Sequence, residues 1–120
     1  MRKNVISDLS IKFALRIIKL HKYLCEEKHE YDMSRQVYRS GTSIGANIAE
    51  SRNAQSKADY ISKLSIALKE ADETEYWLIL LYESETISQN EYNSLTSDLN
   101  IIIGTLTNII KKTKENEKNL

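Results

Sequence analysis

The sequence predicts an all-α fold: one domain over residues 1–120, built as an antiparallel up-and-down four-helix bundle. Three observations predict it. The 120 residues include no proline and only three glycines, so little interrupts a helix. Apolar residues recur three and four apart in four separate stretches, the spacing that gathers side chains on one helical face. Short polar breaks separate the stretches, and short links join antiparallel neighbours.

The first helix is expected from about Asp8 to His29, with Ser7 or Asp8 as its cap. Leu9, Phe13, Ile17, Leu20 and Leu24 form one apolar ridge, and Ile11, Ala14, Ile18 and Cys25 form a second beside it. The second helix is expected over Ser34–Ser51, with Val37, Ile44 and Ile48 inward. Ser40, Gly41, Ser43, Gly45 and Ala46 make it unusually slender. Glycine inside a helix costs about 1 kcal/mol relative to alanine, and close approach by a neighbouring helix is the usual compensation. A phosphate-cradling glycine loop would need a preceding strand and a following lysine, and neither is present.

The third helix is expected over Ser56–Glu83, opened by a capping box of Ser56 with Asp59. Tyr60, Leu64, Leu68, Ala71, Leu78 and Tyr82 are assigned to its core face, while Ile66, Trp77, Leu80 and Leu81 fall on another. The fourth helix, residues 89–112, opens with Ser88 and Glu91. Its seam reads Tyr92, Leu95, Leu99, Ile102, Leu106 and Ile109, followed by a polar tail over 113–120 that should fray.

Formal charge sums to zero from 17 basic and 17 acidic residues, but it is unevenly spread. Residues 1–30 carry seven basic and four acidic side chains, and residues 61–90 carry two and six. A nucleic-acid binder usually shows a broad basic surplus, because phosphate contacts supply most of its affinity. Cys25, the single cysteine, cannot form an internal disulfide and suits a reducing compartment. Without a signal-like apolar segment or a membrane-length apolar run, the expected location is the cytoplasm.

Chemistry-bearing patterns are sparse. The two histidines and one cysteine lack zinc-site spacing, and the Glu26–His29 pair stands alone where a di-iron bundle needs two such pairs. No catalytic, metal or cofactor residues are assigned, and no small-molecule substrate is expected. Helical angle places Glu75 among core residues and His21 between the two ridges of the first helix. His21, Asn47 and Glu75 are therefore read as buried polar structural residues, with His21, a tyrosine or an arginine of the second helix as candidate partner for Glu75. Lys12, Arg16, Lys19 and Lys22 form the candidate nucleic-acid face. A helix-turn-helix over Ser43–Ile61 is the weaker nucleic-acid reading, because both helices are too long for that motif. Ile18, Ile66, Trp77, Leu80 and Leu81 exceed the needs of one core and are the candidate oligomer interface, with Trp77 as anchor.

The run SGTSIGANIAESRNAQSKADYISKLSIALKEADETEYWLILLYES, from Ser40 to Ser84, resembles the four-helix-bundle family named for the 23S rRNA intervening sequence. FALRIIKLHKYL, from Phe13 to Leu24, is similar to that family's first helix, and the fourth helix matches only in general pattern. The resemblance implies a homopentamer, no known enzyme activity and no cofactor. A related accessory protein of diversity-generating retroelements is strongly basic and binds nucleic acid and a reverse transcriptase. This chain departs from it in having no net charge. The expected function is therefore a non-enzymatic oligomeric scaffold that touches structured RNA through the first helix. The alternatives are a protein–protein adaptor without nucleic-acid binding and an accessory subunit of a nucleic-acid-processing complex.

Overall fold

The computed structural model describes residues 4–118, and the chain is an all-α four-helix bundle. Helix α1 spans Val5–Glu26, α2 Asp32–Ser51, α3 Lys57–Glu83 and α4 Gln89–Lys118. Each start is capped by a short polar side chain or a carboxylate. Asn4 Oδ1 accepts from Ser7 N at 3.2 Å, which begins α1 three residues earlier than a Ser7 cap, and four earlier than an Asp8 cap, would allow. Glu30 Oε1 accepts from Met33 N at 2.7 Å and Ser34 N at 3.2 Å. With Glu30 committed to α2, the chain must turn before it. Accordingly α1 stops at Glu26 rather than His29, and His29 takes a left-handed φ of 53°. The capping boxes expected at Ser56 and Ser88 are present, with Asp59 N and Glu91 N donating to their hydroxyls at 3.0 and 3.1 Å. Helix α4 continues to Lys118, past the expected end at residue 112, since Lys and Glu propagate helix and no glycine or proline stops it. Residues 119–120 of that tail lie outside the described residues.

Helix α1 packs against α2 and α4, and α3 packs against the same two. Helices α1 and α3 therefore occupy opposite corners of the bundle, as do α2 and α4. The core holds Phe13, Ile17 and Leu24 with Val37, Ile44 and Ile48, all essentially without solvent contact. Leu99, Ile102 and Leu106 supply the α4 side, while Tyr92 and Ile109 are only partly buried.

The buried seam of α3 runs Leu64, Ala67, Ala71, Thr74, Leu78 and Leu81. This is an alternating three-and-four spacing, the coiled-coil-like repeat of a bundle seam. It corrects the core face expected at Tyr60, Leu68 and Tyr82, which are only partly buried. Tight packing of α1 on α2 occurs where the small residues predict it. A Cβ built on Gly41 would meet Ile17 Cγ1 at 2.8 Å, and one on Gly45 would meet Ser10 Oγ at 3.2 Å.

Candidate interaction surfaces

Two outer corners of the bundle keep large apolar side chains in solvent. On α1, Ile11 and Leu15 are each 55% exposed, and Ile18 lies half-buried beside them. On α3, Ile66 is 41% and Tyr76 54% exposed, with Trp77 and Leu80 half-buried on the same outer side. Leu81 does not belong there: it is fully buried in the core, because the α3 seam is in phase with residues 74, 78 and 81. Of the residues assigned to an interface from sequence, Ile18, Ile66, Trp77 and Leu80 thus retain outer surface. Leu15 and Tyr76, which the sequence reading did not single out, are exposed on the same two corners. The Trp77 ring meets Tyr76 edge-on at 5.2 Å, and its Nε1 is buried without an acceptor among the described residues. Such a donor costs about 1–3 kcal/mol.

The basic stripe of α1 is thinner than its sequence suggests. Arg16 donates to Asp98 Oδ2 at 2.6 Å, to the Ser94 carbonyl at 3.2 Å and to Ser94 Oγ at 2.8 Å. It ties α1 to α4, so within the subunit Arg16 is less free to reach a phosphate than the three lysines of the stripe. Lys12, Lys19 and Lys22 are exposed. Lys19 also lines a groove of about 370 Å³ between α1 and α4, together with Arg16, Leu20, Tyr23, Glu91 and Leu95.

The polar residues assigned to the interior take different roles from those expected. His21 is half-buried at the α1–α2 seam, with Nδ1 2.6 Å from Ser34 Oγ and its ring 4.7 Å from that of Tyr38. Cys25 Sγ lies 3.4 Å from the same Ser34 hydroxyl. Asn47 is half-buried and donates to the Ser43 carbonyl on its own helix at 2.9 Å, so it links no two helices. Glu75 is half-buried, one residue off the seam, and has no hydrogen-bond partner among the described residues. A bridge from Glu75 to His21 is ruled out, because α1 and α3 are diagonal rather than adjacent. Thr74 instead occupies the buried position, with Oγ1 2.9 Å from Ser40 Oγ and 2.8 Å from the Glu70 carbonyl oxygen. Its place three residues after Ala71 and four before Leu78 was the available signal.

Burial and the neighbouring Glu73 carboxylate raise the pKa of Glu70, only partly offset by Arg39 and Lys69. A carboxyl whose folded pKa is raised holds its proton more tightly folded than unfolded. Stability therefore falls as pH rises through the interval between the ordinary carboxylate value and the raised one. Glu70→Gln should increase the melting temperature at neutral pH, with the gain disappearing in acid below the ordinary carboxylate range. A gain that persisted unchanged in acid would contradict this origin.

No three histidine, cysteine or carboxylate side chains among the described residues are grouped to hold a metal ion. None of the described helices is long and apolar enough to cross a membrane. The model of the 23S rRNA-intervening sequence protein family matches residues 2–108, nearly the whole chain. The chain belongs to that family. It is also similar to the crystal structure of a protein of unknown function from the S23 ribosomal protein family of Bacteroides thetaiotaomicron. The two share 54% identity over 92% of this chain and 99% of the other, with a TM-score of 0.90. No curated protein matches. Membership of the intervening-sequence family accounts for the bundle, and what the bundle does must be argued from its surfaces.

Proposed function

We propose that this intervening-sequence family protein is a non-enzymatic scaffold that works as a homo-oligomer. The observation that carries this reading is the apolar surface left after the bundle has completed its own core. Ile11, Leu15, Ile66 and Tyr76 stay in solvent at two separate corners. Apolar residues clustered this way on a small soluble domain usually mark interaction sites. Five copies is the number implied by the sequence resemblance. Light scattering coupled to size exclusion, together with native mass spectrometry, should give the mass of a pentamer at micromolar concentration. A monomer would overturn the reading.

The second reading adds structured RNA as a partner and is favoured by Lys12, Lys19 and Lys22, which are exposed on one helix. Repetition around an assembly turns a weak patch into useful avidity. In the same preparation, binding to a folded RNA should weaken steeply with salt and be lost on changing Lys12 and Lys19 to glutamate. An intact oligomer with no salt-dependent RNA binding would leave the protein–protein adaptor as the function.

A further inference from the structure

We propose that copies of this chain meet head to tail, with the outer corner of α1 in one copy seated on the outer corner of α3 in the next. The inference rests on the oligomeric reading above and specifies its interface. Both corners carry a second seam. On α1, Ile11, Leu15, Ile18 and Lys22 follow one another at spacings of four, three and four. On α3, Ile66, Lys69, Glu73, Tyr76 and Leu80 alternate three and four. Those spacings keep each set on one stripe, and they are the repeats that helices use to pack side by side.

Charge selects the pairing. The α1 corner is flanked by exposed Lys12, Lys19 and Lys22, with Asp8 and Glu26 at its two ends. The α3 corner presents exposed Asp72, Glu73 and Glu83 against a single Lys69. An α1–α1 or α3–α3 contact brings together surfaces of like sign, whereas α1 on α3 matches apolar to apolar and basic to acidic. Because α1 and α3 lie diagonally in one subunit, its two corners cannot meet each other. A second copy is needed, and a contact between two different patches is heterologous, so successive subunits continue head to tail and form a ring when the rotation at each contact closes.

Height within the bundle also fits. Ile17 lies level with Gly41, against which it packs, and Ser40 lies level with Thr74, to which it is hydrogen-bonded. In a ring whose axis follows the helices, Lys22 of one copy therefore comes level with the stretch between Glu73 and Glu83 of the next. Lys12 and Lys19 fall toward the α4 flank, where Arg16 and the α1–α4 groove lie, and stay at the rim.

The test reverses charge on each face and then on both. Lys22→Glu should raise the concentration at which the assembly half-dissociates by about tenfold or more, and Glu73→Lys with Glu83→Lys should do the same. The triple variant, carrying all three changes on one chain, should return it toward the wild-type value, because every α1–α3 contact again pairs opposite charges. All three positions are exposed, and helical circular dichroism with unchanged melting would show that each variant is folded. An oligomeric wild type insensitive to both reversals, or a triple variant that stays dissociated, overturns the α1–α3 interface while leaving oligomerisation intact. A monomeric wild type overturns both.

Discussion

Leu81→Ala is expected to lower the unfolding free energy by about 2–5 kcal/mol, the range for emptying a well-packed core site of a leucine side chain. Leu81 has no solvent exposure and shares the α3 seam with Leu78 and Thr74. Ile66→Ala provides the contrast. At 41% exposure its side chain contributes little to the fold of one subunit, within roughly 0.5 kcal/mol as for other surface sites. Urea unfolding at several protein concentrations separates the two. The Leu81 loss should persist on dilution, whereas any Ile66 loss should shrink as the oligomer dissociates, since assembly stabilises by mass action. Equal losses for the two at low concentration would show that Leu81 is not a core residue.

Gly41→Ala is the second large effect, and its sign is opposite to that of helix propensity. Alanine in a helix gains about 1 kcal/mol over glycine. At Gly41 the added methyl would meet Ile17 Cγ1 at 2.8 Å, Cγ2 at 3.0 Å and Cβ at 3.3 Å. A β-branched side chain in a helix has essentially one rotamer, so Ile17 cannot swing aside. The helices must separate, which costs about 1–3 kcal/mol. The net result should be a destabilisation of up to about 2 kcal/mol, and the same change made in an Ile17→Ala background should cost less, as expected when two contacting sites couple. Gly104→Ala is the control: nothing lies within 4 Å of its built Cβ, so it should stabilise by about 1 kcal/mol. Gly41→Ala that stabilised as much as Gly104→Ala would remove the close-packing explanation.

The legibility of this chain differed by helix. In α1 and α4 the core ridge keeps a regular three-and-four spacing, so periodicity located the seam to within a residue or two even though Ile11, Leu15 and Ile101 stay outside it. The capping residues Ser56 and Ser88 marked two helix starts because their hydrogen bonds are local. Helix α3 has apolar residues nearly all round, from Leu64 and Ile66 to Trp77 and Leu81, and its phase was ambiguous. Two readings compete there, one that buries Glu75 and one that buries Thr74. The second prevails because threonine closes its hydroxyl on the Glu70 carbonyl and Ser40, whereas a buried carboxylate would need a partner, and Glu75 has none among the described residues, either on α1 across the diagonal or on the adjacent α2.

Sequence by itself determined the number of helices, most of their boundaries, the slender face of α2 and the presence of surplus apolar stripes. All of these follow from local spacing and backbone chemistry within a few residues. Tertiary structure alone decided that Arg16 bonds to Ser94 and Asp98 of α4, that Leu81 is core, and that the two apolar corners lie on opposite sides. Each of those depends on which helices are neighbours, and neighbour choice is set by the fit of whole faces across the bundle rather than by any one stretch of chain.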